Sequence, residues 1–180
     1  MKFNRLGHTG LFVSELCMGT WGFSGRNYFG GAIGTLSQSD ATKFIGRALE
    51  ARINFIDTAD GYNAGASDEI VGRSIKAHPS WWVLATKIAN PTGKGPNARG
   101  LNRRQVFHAT DASLRRLGIS EIDILYLHKE DHATPLAETV GALADLMRAG
   151  KIRYFGVSNY RSWRIAEICR ICDELGIVRP

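Results

Sequence analysis

Residues 122–158, IDILYLHKEDHATPLAETVGALADLMRAGKIRYFGVS, decide the fold. Ile122 to His128 is a short apolar run that ends on an imidazole. Leu136 to Ala149 carries apolar residues at helical spacing and is closed by Gly150, and Lys151 to Ser158 is a second apolar run. A strand, a helix and a strand in that order form a crossover unit, in which two parallel strands are joined through the helix.

The same alternation continues on both sides. Upstream, Leu16 to Trp21 predicts a strand, and Ser39 to Ala51 a helix with Phe44, Ile45, Ala48 and Leu49 at helical spacing. Asn54 to Ala59 (NFIDTA) predicts a second strand, followed by a helix that Ser67 caps ahead of Glu69, Ile70, Val71 and Ile75. Trp81 to Ile88 predicts the third strand, with Trp81 and Trp82 as hydrophobic cover. Asn102 to Leu117 predicts a helix burying Val106, Phe107, Ala109, Leu114 and Leu117, with Gly118 as its C-cap. Downstream, Ser162 to Leu175 is a fifth helix, closed by Gly176. Lys2 to Val13 reads as a hairpin around His8-Thr9-Gly10, and Gly22 to Gly34 as a long loop after the first parallel strand. Alternation of this kind implies a parallel sheet, either an open doubly wound one or a (β/α) barrel.

Composition narrows the function classes. With 180 residues, 44% of them apolar and 22% charged, the chain has the balance of a packed globular protein rather than a disordered one. No apolar run approaches the roughly 18 residues of a membrane helix, and Leu11-Phe12-Val13 is too short for a signal peptide, so a cytoplasmic location and no membrane partner are expected. Three cysteines do not make a disulfide framework. The formal charge of +6 suits a polyanionic ligand such as a phosphorylated cofactor, and no nucleic-acid partner is expected.

Polar residues sit where the apolar strands end: Asp57-Thr58 on the second, Thr86-Lys87 on the third, His128 on the fourth and Ser158-Asn159 on the fifth. Parallel strands share one C-terminal face, so four strands deliver a carboxylate, an ammonium, an imidazole and an amide to it. Tyr62, five residues after Asp57, lies in the loop leaving the second strand. A free phenol, with a pKa of about 10, is a poor acid near neutrality. A nearby ammonium favours the phenolate, and a carboxylate paired with that ammonium keeps it charged. Asp57, Lys87 and Tyr62 could form such a relay, and His128 could act on a substrate oxygen either as a polariser or as a second proton conduit.

With these motifs in place the chain resembles the aldo-keto reductases. The hairpin and Gly19-Thr20-Trp21, the Phe55-Ile56-Asp57-Thr58-Ala59 strand with Tyr62, Ala85-Thr86-Lys87, Leu125-Tyr126-Leu127-His128, and Gly150-Lys151-Ile152-Arg153 before Gly156-Val157-Ser158-Asn159 all look like that family's motifs in order. The resemblance implies an α/β fold of TIM (β/α)8 type with an N-terminal β-hairpin, and reduction of a small-molecule aldehyde or ketone with NADPH. It implies catalytic roles for Asp57, Tyr62, Lys87 and His128. It also implies cofactor contacts from Ser158 and Asn159 to the nicotinamide carboxamide, and from Thr20, Trp21 and Asp57 around the ribose. Within the family the sequence looks closest to the branch of the potassium-channel β subunits and bacterial general aldo-keto reductases. The channel subunits carry Asn at the position of His128, so His128 favours an enzyme.

Other signals have simpler readings. Cys169 and Cys172 lie inside a helix, in line with Ile165, Ile168 and Leu175, and read as core. His128 and His132 lack a third ligand at metal spacing, so no metal is expected, and the glycines of the long loop match neither a Rossmann nor a P-loop pattern. Arg103-Arg104 and Arg115-Arg116 read as a solvated helix surface away from the active face.

The strand-end landmarks recur on average every roughly 34 residues, so eight units with the hairpin need on the order of 290 residues. The expectation for residues 1–180 is therefore one partial barrel domain, truncated after about five β/α units, whose open edges invite self-association. Three readings follow: a carbonyl reductase whose chemistry needs the remaining strands, a non-catalytic nicotinamide-sensing regulatory subunit, or a half-barrel that assembles with another chain.

Overall fold

A computed structural model describes residues 1–24 and 35–180. The part of the Gly22–Gly34 loop from residue 25 onward lies outside the described residues. These fall into two compact units, Met1–Ala85 with Arg116–Gly118, and Thr86–Arg115 with Ile119–Pro180.

In the first unit, β1 (Phe3–Arg5) and β2 (Phe12–Ser14) pair antiparallel with Asn4 opposite Val13, which gives the expected hairpin. Its turn is closed by Leu6 N–H donating to the Leu11 carbonyl at 2.9 Å. Asn54 ties this hairpin to the strand that follows it: its amide donates to the Phe12 carbonyl at 3.0 Å, and its Oδ1 accepts from Ser14 N–H at 2.7 Å. β3 (Cys17–Gly19) lies parallel to β4 (Phe55–Asp57), and β4 lies parallel to the first half of β5 (Val83–Ile88).

Helix α1 (Gln38–Glu50) begins on a capping box, in which Ser37 Oγ accepts from Asp40 N–H and Asp40 accepts from Ser37 N–H. The helix buries Ala41, Ile45 and Ala48, but not Phe44, which is 53% exposed. The four apolar residues read from the sequence span more than one helical face, and only part of that stripe turns inward. Helix α2 (Ala66–Ile75) is not capped by Ser67. Gly65 is the N-cap, and Ser67 lies inside the first turn, fully buried. Trp81 ends a short 3-10 turn, Pro79–Trp81, ahead of β5. Its indole donates to the Ile53 carbonyl at 2.9 Å and meets the Phe3 ring edge-on, so one of the two tryptophans binds by a specific hydrogen bond while Trp82 is simply buried.

The second unit continues the alternation. The far half of β5 neighbours β6 (Ile122–Leu127), which is parallel to β7 (Ile152–Val157) in a register that sets Tyr126 opposite Gly156. Gly156 is required there, because a Cβ at that position would lie 2.5 Å from Tyr126 Cε1. Helices α3 (Arg103–Leu117), α4 (Leu136–Arg148) and α5 (Ser162–Leu175) complete the pattern. Asn102 Oδ1 accepts from Gln105 N–H at the start of α3, and Gly176 closes α5 in the left-handed conformation. In α3, Phe107 stays half-buried beneath the Arg103 guanidinium while Val106, Ala109, Leu114 and Leu117 are buried. In α5, Cys172 is buried with Ile168 and Ile171, whereas Leu175 is exposed and Cys169 half-buried. Burial pushes the Cys172 thiol up to about 11. Among the described residues no helix is long and apolar enough to cross a membrane.

Candidate active site

Asp57 is the last residue of β4 and lies opposite Gly19 of β3. Its backbone carbonyl accepts two hydrogen bonds from Thr20, one from the N–H at 3.1 Å and one from the hydroxyl at 3.0 Å. Thr20 is fully buried, and its hydroxyl also lies 2.8 Å from Ser67 Oγ. From there a polar chain runs inward: Ser67 Oγ lies 3.0 Å from Thr58 Oγ1, Thr58 donates to Asp68 Oδ1 at 3.1 Å, and Arg116 donates to Asp68 Oδ2 from Nη2 at 2.9 Å and from Nε at 3.2 Å. Asp68 is fully buried. A charge this deep needs its partner, which explains why Arg116 points inward. The expectation of a solvated Arg115-Arg116 surface holds for Arg115 and fails for Arg116.

Tyr62 opens the 3-10 turn Tyr62–Gly65, where Asn63 and Ala64 take left-handed φ values of 53° and 54° and Gly65 one of 91°. Two non-glycine residues in this region are strained, and outside bonds hold them there. The Asn63 amide donates to the Trp21 and Phe23 carbonyls, each at 3.0 Å. The Tyr62 and Trp21 rings lie 6.4 Å apart, inclined by 39°. Asn63 therefore fixes the loop after β3 to the turn that carries Tyr62. It was not singled out from the sequence, although Asn is the side chain that best tolerates this backbone.

In the second unit, Lys87 is the penultimate residue of β5, a strand buried along its whole length, and is itself buried. His128 follows β6, and its N–H donates to the Ile88 carbonyl at 2.9 Å. The Asn90 amide nitrogen lies 3.0 Å from His128 Nδ1. An amide N–H donated to Nδ1 places the ring proton on Nε2. Burial first, then the charges of Lys87 and Lys129, push His128 down to about 4, so the ring is neutral near pH 7. Asn90 is a second residue that sequence reading missed.

Ser158 and Asn159 follow β7. Ser158 N–H donates to the Leu127 carbonyl at 2.9 Å, and Asn159, at a φ of 56°, donates its amide to the His128 carbonyl at 2.8 Å and to Ser158 Oγ at 3.0 Å. These bonds tie the β7 exit to the β6 exit. His132 Nε2 lies 3.1 Å from Glu130 Oε2.

Thus Asp57, Tyr62, Thr20 and Trp21 belong to the first unit, and Lys87, His128, Ser158 and Asn159 to the second. Each occupies the C-terminal end of its strand or the loop that leaves it.

Comparison with known proteins places the chain in a family. The chain is 34% identical over its whole length to a probable voltage-gated potassium channel subunit beta from Arabidopsis thaliana, covering 53% of that protein. It is 34% identical over 98% of its length to versiconal hemiacetal acetate reductase from Aspergillus parasiticus, covering 56%, and 31% identical over 99% to the aldo-keto reductase dtxS3 of Metarhizium robertsii, covering 54%. The chain spans about half the length of the curated relatives it matches. The profile of the aldo/keto reductase family, whose fold is the TIM barrel, matches residues 15–178, and the chain therefore belongs to that family.

Proposed function

We propose that the protein carrying this chain reduces an aldehyde or ketone to an alcohol with NADPH, using Tyr62 as the proton donor. Membership of an oxidoreductase family that generally uses NAD(P)H supports the reaction class. The observation that carries the finer reading is His128, neutral and bonded at Nδ1 by Asn90, next to the end of a strand whose penultimate residue is the buried Lys87.

NADPH, when bound, supplies the hydride to the carbonyl carbon. Ser158 offers a hydroxyl that can donate, and Asn159 keeps an amide oxygen that can accept while its nitrogen holds the His128 carbonyl. One donor and one acceptor complement a carboxamide, so the donor set fits the nicotinamide. Thr20, with its hydroxyl turned inward, serves the ribose side by holding the end of β4, and Trp21 offers an exposed ring. His128 donates Nε2–H to the substrate oxygen and draws charge onto it. Tyr62 gives its proton to that oxygen as negative charge develops there. The Lys87 ammonium stabilises the charge left on the phenol, and the Asp57 carboxylate keeps the ammonium oriented.

Consumption of NADPH with small aldehydes tests this reading. Tyr62→Phe should lower kcat by at least about 100-fold while leaving NADPH affinity nearly unchanged, and unchanged turnover would remove Tyr62 from the role. The likeness to a protein named as a potassium channel subunit favours a second reading, a regulatory subunit that senses the nicotinamide. Saturable NADPH binding without turnover of any carbonyl compound would select it.

A further inference from the structure

We infer that the cavity formed by the loops leaving β5 and β6 is an anion-binding subsite, and that it selects carbonyl substrates bearing a carboxylate or phosphate group at their far end. The inference rests on the reductase reading for the word substrate, though not for the word anion.

The cavity measures about 540 Å³ and is lined by Ala89, Pro91, Arg99, Lys129, Glu130 and Asp131 among others. That volume is within the range of small-molecule sites. Four of these six side chains are ionic, but the acids are already committed. Asp131 Oδ2 accepts from Leu101 N–H and from the Thr134 hydroxyl, both at 2.7 Å, and its Oδ1 accepts from Ala133 N–H at 2.9 Å. Glu130 accepts from Arg161 N–H at 2.6 Å through Oε1 and faces His132 Nε2 at 3.1 Å through Oε2. Arg99 and Lys129 are exposed and make no hydrogen bond or ion pair with the described residues. The two cations thus keep all their donors for a ligand, whereas the two carboxylates, still charged, already have oxygens engaged by protein donors.

The cavity wall is built rather than incidental. Asp131 fixes both loops at once, and Gly100, at a φ of 79°, approaches it so closely that a Cβ would lie 2.6 Å from Oδ2. The cavity also adjoins the proposed chemistry along the chain. Lys129 follows His128 directly, and Asn90, the partner of His128 Nδ1, stands between the lining residues Ala89 and Pro91. The charge of Lys129 is felt at His128. A bifunctional molecule with its carbonyl oxygen at His128 would therefore place a distal anion toward Lys129 and Arg99.

Two measurements test the site. Titration of the chain with succinate and with inorganic phosphate, followed by amide NMR shifts, should give saturable binding at residues 99 and 129–134. The Arg99→Gln/Lys129→Gln double variant should bind about tenfold more weakly. Tighter phosphate than succinate binding would point to phosphorylated substrates and the reverse to carboxylates, and either supports the subsite. No binding of either probe, or equal binding by the double variant, would overturn it. In the whole enzyme, the ratio of kcat/KM for succinic semialdehyde to that for butanal should fall about tenfold in the double variant. A ratio that stays constant would overturn the substrate assignment. Turnover of neither aldehyde, with the probes still bound, would remove the reductase reading and leave the anion subsite standing.

Discussion

The side-chain amide of Asn90 stands 3.0 Å from His128 Nδ1, and the imidazole it orients is pushed down to about 4 by burial and by Lys87 and Lys129. The sign of the resulting pH dependence follows. A histidine that titrates at 6.5 when unfolded and near 4 when folded leaves the unfolded state binding the extra proton between these values. The contribution of His128 is fully present above pH 6.5 and is lost as pH falls toward 4. Its Cε1–H resonance should titrate with a midpoint near 4, and Asn90→Asp should raise that midpoint, because a carboxylate at Nδ1 favours the imidazolium. An unshifted midpoint in the variant would break the link between the two residues.

Arg116 offers a second test, since it holds two features at once. It neutralises the buried Asp68, and its Cδ and Nε lie where a Cβ on Gly65 would have 2.8 Å of room. Arg116→Met strands a buried carboxylate and should cost about 3 kcal/mol in urea unfolding. Asp68→Asn in the same background should recover part of that loss, since no ion is then left alone. Gly65→Ala should destabilise through both its φ of 91° and the contact with Arg116.

How much of this was legible beforehand depends on which residues carry the signal. The order of strands and helices could be read because the apolar runs are short and bounded by Gly118, Gly150 and Gly176, each at a helix end with positive φ. Of the proposed catalytic residues, Asp57, Lys87 and His128 could be singled out because each lies at or beside a strand end, where an otherwise apolar run turns polar, and Tyr62 because it follows in the loop that leaves β4. Asn63, Asn90 and Arg116 could not. Their partners are 42, 38 and 48 residues away in sequence, and a hydrogen bond over that span leaves no local period. Ser67 misled for a related reason. Its position before an apolar run looks like a cap, yet Thr20 and Thr58 compete for its hydroxyl across the unit. The exposure of Phe44 was not legible, because helical spacing alone does not say which of two adjacent stripes turns inward.

Two glycines separate backbone from side-chain crowding. A Cβ on Gly72 would lie 2.3 Å from the Leu117 carbonyl oxygen, whereas on Gly156 it would meet the Tyr126 ring at 2.5 Å. Backbone at the end of α3 cannot step aside, but a ring can be replaced. Gly156→Ala should therefore cost about 1–3 kcal/mol and be largely rescued by Tyr126→Leu. Gly72→Ala should cost at least as much and find no such rescue. Thermal unfolding of Gly156→Ala, Gly156→Ala/Tyr126→Leu and Gly72→Ala decides between these outcomes, and a Gly72→Ala protein as stable as the parent would refute the close approach of α2 to Leu117.

Asn159 joins backbone strain to the proposed cofactor contact. Its φ of 56° is one glycine accepts freely and alanine resists, while its amide holds both the His128 carbonyl and Ser158 Oγ. Asn159→Gly removes the hydrogen bonds and keeps the backbone comfortable; Asn159→Ala removes the same bonds and adds about 1 kcal/mol of strain. If the amide matters only for stability, the alanine variant should be the less stable of the two and both should bind NADPH as the parent does. If the amide oxygen accepts from the nicotinamide, both variants should lose NADPH affinity by a similar factor, about tenfold, despite their different stabilities. Parallel unfolding and fluorescence titrations of the two variants separate these cases, because strain divides the pair while ligand recognition does not.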